Sequence, residues 1–111
     1  MAKFPSLVVV LLTAGVAQAA EPDAAAGRAI ALDRAKGNCL ACHTRKGGDI
    51  PSNVGPELIN MMARYPDPKQ LYAIVFDEQR RNPQTVMPPF GRHRILTPGE
   101  IDNVVAFLET L

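Results

Sequence analysis

The sequence predicts an all-α fold, and three observations carry that prediction. Two segments open on a capping residue followed by proline, Asp67-Pro68 and Thr97-Pro98, the arrangement that starts a helix. The apolar residues behind them recur at helical spacing: Leu71, Ile74 and Val75 in one, Ile101, Val104, Val105 and Leu108 in the other. No run alternates with the period of a half-buried strand, and no internal repeat or low-complexity tract interrupts the chain.

Taken from the start, residues 1–19 are expected to be a secretory signal peptide rather than part of the fold. Lys3 supplies the positive start, residues 7–16 are apolar, and Ala17-Gln18-Ala19 has the small-x-small pattern of a cleavage site. The apolar run is too short to cross a bilayer core. Residues 20–111 then form one small domain, expected to be soluble, exported and periplasmic. Without Lys3 the chain has 11 basic and 11 acidic residues. That balance argues against nucleic acid or an anionic membrane as partner. There is no tryptophan, and the rings beyond residue 20 are only Tyr65, Tyr72, Phe76, Phe90 and Phe107. A domain this small buries little surface and profits from a cross-link, metal or cofactor.

The first helix is predicted over 24–37, with Gly37 as its stop and Gly27, Ile30 and Ala31 on its inner face. Residues 45–56 read as loop. A short helix is predicted over 57–65, opened by Pro56. The helix capped by Asp67 follows, and its acid-then-base end, Asp77, Glu78, Arg80 and Arg81, reads as a solvated terminus. Residues 82–96 contain Pro83, Pro88, Pro89 and Gly91, which excludes regular helix. The last helix has Thr97 as cap and Glu100 three residues on, a capping box.

The chemistry is concentrated in "GNCLACHT", residues 37–44, which holds both cysteines, Cys39 and Cys42, with His43 directly after. A disulfide between them would close a tiny loop and restrain little of the unfolded chain. A structural zinc site needs about four protein ligands, and only distant His93 could join these three. A dithiol redox switch belongs in a βαβ setting, for which there are no strands. Cys-x-x-Cys-His in an exported helical chain reads instead as the attachment site of one haem c. The two thiols add across the porphyrin vinyl groups as thioethers, and His43 is thereby placed to bind the iron. The haem would also supply the large apolar plate that the ring-poor core lacks.

For the second axial position the candidates are Met61, Met62, Met87 and His93. Met61 and Met62 fall in a predicted helix, where methionine usually fills core, and His93 lies between two arginines. Met87 in "TVMPPF" sits on backbone stiffened by two prolines, a suitable holder for an axial sulfur, and is the expected ligand. A ligating imidazole needs an acceptor for its other N–H. In "VGPEL", Pro56 offers a carbonyl, though a plain helix-opening proline explains it equally.

Together "GRAIALDRAKGNCLACH", "GPEL", "MPPFG" and "LTPGEIDNVVAFLETL" resemble the class I cytochromes c. That resemblance implies four or so helices around the haem, with the first and last crossing closely at Gly27 and Phe107. It also implies that the Pro56 carbonyl accepts from His43. "GNCLACHT", "NPQTVMPPFGRHRIL" and "IDNVVAFL" are similar, more narrowly, to the SoxX branch, the monohaem subunits of SoxAX sulfur-oxidation cytochromes. The branch implies a heterodimer with a SoxA-like cytochrome, acting as an L-cysteine S-thiosulfotransferase on a SoxYZ-like carrier. Its electrons pass to a downstream acceptor cytochrome. This chain would be the non-catalytic, electron-accepting subunit, with no catalytic residue of its own. A free-standing electron shuttle is the alternative, and a haem enzyme with an open iron position ranks last.

Overall fold

A computed structural model describes residues 1–5, 8–18, 20–48 and 51–111. Leu7 and Ala19 of the expected signal segment, and Asp49 and Ile50 of the expected loop, lie outside the described residues. The described part of 1–18 carries no regular secondary structure and is exposed.

Among the described residues four α-helices follow in order, α1 (Ala24–Leu32), α2 (Met61–Arg64), α3 (Pro68–Asp77) and α4 (Pro98–Leu108). Single 3-10 turns at Cys39–Ala41 and Glu78–Arg80 complete the regular structure. Among the described residues the only strand-like pairing is one isolated parallel bridge, Arg45 with Leu58.

α4 is the keel of the fold. Thr97 Oγ1 accepts from the Glu100 N–H at 3.2 Å while Glu100 Oε2 accepts from the Thr97 N–H at 3.0 Å. This reciprocal cap contributes about 1 kcal/mol. Behind it Ile101, Val104, Val105, Phe107 and Leu108 are buried. Ile101 and Val104 are sealed from solvent, as is Leu71 of α3, and each such side chain stabilises the fold by about 1.5–3 kcal/mol. α3 starts as predicted, with the Asp67 carboxylate accepting from the Lys69 N–H at 2.9 Å, and it buries Leu71 and Val75.

α1 packs on α4 through Gly27. A Cβ at Gly27 would lie 1.8 Å from the Asn103 carbonyl oxygen and 2.8 Å from the Val104 nitrogen. The two helices therefore touch backbone to backbone at Asn103 and Val104, one turn before Phe107. Asp23 fixes the entry: its carboxylate accepts from the Ala25 and Ala26 N–H groups, and its own N–H donates to Asn103 Oδ1 at 2.8 Å.

Three expectations need correction. α1 stops at Asp33, not Gly37, because Asp33 leaves the helical region and residues 33–36 form a turn closed by Gly37 N–H donating to the Ile30 carbonyl at 3.1 Å. The helix predicted over 57–65 exists only from Met61. Leu58 is instead extended, donating to the Thr44 carbonyl at 2.7 Å and accepting from the Lys46 N–H at 3.1 Å. The end of α3 is not solvated: Asp77 and Glu78 are 5% and 7% exposed, and arginines satisfy both, Arg92 and Arg80 for Asp77 and Arg81 for Glu78.

Candidate functional site

The Cys-x-x-Cys-His segment is wound into one tight turn. Asn38 enters it in the left-handed region at φ 48°. The Cys39 carbonyl then accepts from the N–H groups of both Cys42, at 3.2 Å, and His43, at 2.9 Å. That winding brings both sulfurs and the imidazole to the wall of a single cavity of about 710 Å³. Cys39 packs against the hydrophobic core, and its burial pushes the thiol up to about 11. A dithiol redox switch needs the opposite shift, toward the thiolate.

The next segment folds back over the histidine. Thr44 Oγ1 donates to the Ser52 carbonyl at 2.9 Å and accepts from the Ser52 N–H at 2.6 Å. Gly55 N–H donates to the Cys42 carbonyl at 2.8 Å, and the Leu58 pairing ties down the far side. Pro56 is thereby delivered to the ring, and His43 Nδ1 lies 2.6 Å from its carbonyl oxygen. A carbonyl can only accept, so Nδ1 carries the proton and Nε2 keeps its lone pair. Gly55 is a contributor the sequence reading missed. A Cβ there would stand 2.3 Å from His43 Cε1, so the backbone rests directly on the imidazole.

Met87 lies in the irregular segment between α3 and α4, half-buried, with its N–H donating to Thr85 Oγ1 at 3.1 Å. It lines the same cavity as Cys39, Cys42, His43 and Pro56. The other candidates separate by burial. Met61 also lines the cavity but is 3% exposed within the core, and its sulfur accepts from Arg64 Nη1 at 3.5 Å. Met62 is 52% exposed, His93 is exposed, and neither lines the cavity. The second groove, about 500 Å³ on the outer side of α3, holds none of these residues.

The cavity suits a large, flat, mostly apolar cofactor. Its volume falls in the usual range of about 300–1,000 Å³ for such sites. Leu71, Val75, Phe90, Leu96, Val104 and Leu108 supply apolar wall, and Arg34, Lys36, Arg64 and Arg81 supply positive charge. The donor set, two thiols, an imidazole with a fixed tautomer and a thioether, matches covalent haem with two axial ligands. Among the described residues no three of Cys, His, Asp or Glu converge to hold a bare metal ion. No described helix is long and apolar enough to cross a membrane.

Comparison with known proteins identifies a family and a similar solved structure. A family model described as Cytochrome c matches residues 24–111. The chain is 39% identical over 74 residues to an "Uncharacterized lipoprotein" of Aquifex aeolicus (strain VF5), covering 66% of this chain and 36% of that protein. It thus spans about a third of that relative's length. Among solved structures it is similar to a chain in the crystal structure of SoxXA from P. pantotrophus. That match has a TM-score of 0.72 and 29% identity, and covers 82% of each chain.

Proposed function

Because the chain belongs to the cytochrome c family, which carries covalent haem c, we propose that it is the electron-relaying haem subunit of a SoxAX-type thiosulfate-oxidising complex. The observation that carries the haem reading is the convergence of Cys39, Cys42, His43 and Met87 on one cavity. Bound there, haem c supplies a one-electron iron couple. Cys39 and Cys42 would anchor one haem as thioethers. His43 would coordinate through Nε2, oriented by its Nδ1–H bond to Pro56. Met87 would take the second axial position, and a soft thioether there favours the reduced iron.

This assignment leaves the chain without spare chemistry. It has two cysteines in all, both consumed in attachment, and both axial positions would be filled. No thiol remains to attack sulfur, so bond formation between thiosulfate and a carrier cysteine belongs to a SoxA-like partner. This chain then accepts the released electrons and passes them to a downstream cytochrome. The carrier would be a SoxYZ-like protein, and the site of action the periplasm, reached through removal of residues 1–19.

Similarity to a chain of SoxXA favours a subunit over a free shuttle. Among the described residues beyond 20, the large hydrophobic side chains left exposed are Val54, Met62, Val86 and Ile95. Val54, Val86 and Ile95 all line the cavity that would hold the haem. A haem bound there would cover them, so they serve as cofactor wall. The shuttle reading draws on the cations of the same cavity, but Lys36 is paired with Glu100 and Arg81 with Glu78.

Reconstitution tests the proposal. The isolated haem-loaded chain should not oxidise thiosulfate, and its haem should be reduced by thiosulfate once a SoxA-like subunit and a cysteine-bearing carrier are added. Turnover by the chain alone would refute the division of labour. A monomer in native extracts that reduces a terminal oxidase directly would establish the shuttle.

A further inference from the structure

We infer that the ion pair between buried Asp77 and part-exposed Arg92 is a clamp that positions the Met87 thioether. The inference rests on the proposal that Met87 is an axial ligand. It starts from a mechanical problem: Met87 sits in a segment with no helical or strand ladder to hold it, yet an axial sulfur must stay put.

The anchoring lies a few residues beyond Met87, at the end of α3. Asp77, 5% exposed, accepts from Arg92 Nε at 2.8 Å. The same carboxylate accepts from the Gln79 N–H at 3.2 Å, and Arg92 Nη2 donates to Gln79 Oε1. The Phe76 carbonyl accepts from the Gly91 and Arg92 N–H groups at 3.1 and 3.2 Å. Gly91 lies flush on the Phe76 ring, where an added Cβ would come within 1.9 Å of it. Tyr72, one turn earlier on the same face of α3, stacks on the Phe76 ring with centroids 6.1 Å apart and holds it in place.

The position of Arg92 is transmitted to Met87 by stiff backbone. Pro88 and Pro89 follow Met87 directly, and each ring fixes φ near −65°. Pro89 and Phe90 are buried, and the Pro89 carbonyl accepts from the His93 N–H at 2.9 Å. Little torsional freedom lies between the clamp and the Met87 backbone. An exposed ion pair would be too weak for this task, but here the carboxylate is buried, and losing its partner leaves an uncompensated charge. Arg80 is a poor substitute, at 3.7 Å from Asp77 and 78% exposed.

The test uses the haem-loaded protein and reads the sulfur–iron contact directly. The oxidised wild type should show the weak red-edge absorption of a methionine–iron bond, and Met87→Ala should lose it. Arg92→Ala and Asp77→Asn should weaken the band, and both should bind added imidazole at the iron more tightly by roughly five- to thirtyfold, because the displaced state is more populated. Arg92→Lys should restore only part, since an ammonium cannot reproduce the guanidinium fork that reaches both Asp77 and Gln79. Ile101→Val lowers stability from the core, away from the cavity, and should leave band and imidazole affinity unchanged. If Arg92→Ala keeps the wild-type band and imidazole affinity while Met87→Ala loses the band, the clamp is wrong and the ligand assignment stands. A band that survives Met87→Ala overturns the ligand assignment, and the clamp with it.

Discussion

Gly27→Ala measures how much of the fold depends on the α1–α4 contact. On an ordinary helix this substitution stabilises by about 1 kcal/mol, because alanine is the better helix former. Here the new methyl would be 1.8 Å from the Asn103 carbonyl oxygen, whereas ordinary contact begins at 3.4 Å, so the helices must part by about 1.6 Å. The obstruction is backbone held in the α4 ladder, not a side chain that can rotate away. Overpacking of this kind costs about 1–3 kcal/mol. Parting the helices also weakens dispersion around Ala31 and Val104, which are 1% exposed, since a gap of about 0.5–1 Å forfeits a quarter to a half of each contact. With those losses set against the propensity gain, the net destabilisation is about 2 kcal/mol. For a domain this size the thermal midpoint should fall by roughly 8–16 °C. The assay is thermal unfolding of the haem-loaded protein by circular dichroism, beside Ala29→Gly. Ala29 is exposed on α1, and glycine there costs only its propensity, about 1 kcal/mol. A Gly27→Ala protein as stable as the wild type, or more so, would refute the close-contact argument.

Three further outcomes are expected. The mature protein should retain one haem after acid-acetone extraction; Cys39→Ala or Cys42→Ala should each leave one thioether by mass, and haem freely released from the wild type would contradict attachment. Gly55→Ala should push the imidazole off the Pro56 carbonyl, because the added methyl lies 2.3 Å from Cε1. Spectra should then show a high-spin fraction, and an unchanged low-spin spectrum would count against the ring's support. The Lys36 ammonium and the Thr97 N–H hold the Glu100 carboxyl below its ordinary 4.5, and Glu100 in turn raises Lys36 above its ordinary 10.5. Glu100 therefore adds stability that is present above 4.5 and lost as pH falls through its lowered value. Lys36 adds stability that is present below 10.5 and lost as pH rises through its raised value. Glu100→Gln, which can still close the capping box, should flatten the acid limb of the midpoint-versus-pH curve; an unchanged limb would show the pair to be inert.

The amino-acid sequence by itself determined whatever is decided within about one helical turn. Asp67-Pro68 and the Thr97–Glu100 box start α3 and α4 where they were expected, because a cap satisfies N–H groups two or three residues away. The Cys39, Cys42 and His43 spacing is likewise local, set by the distance between two vinyl groups and an iron. Tertiary structure decided the rest. Residues 57–60 have helical composition, yet Leu58 is extended because Thr44 and Lys46, more than ten residues earlier, offer it hydrogen bonds. That pairing brings Pro56 onto His43. Asp77 and Glu78 read as a solvated end, since one charge pattern serves an exposed or a buried terminus, and it is the returning segment that brings Arg92 onto Asp77. Met61, Met62 and Met87 are chemically identical; Met62 lies exposed outside the cavity, and of the two that line it Met61 is sunk in the core while Met87 is half-buried. These differences come from contacts between segments distant in the chain, which no short window of sequence contains.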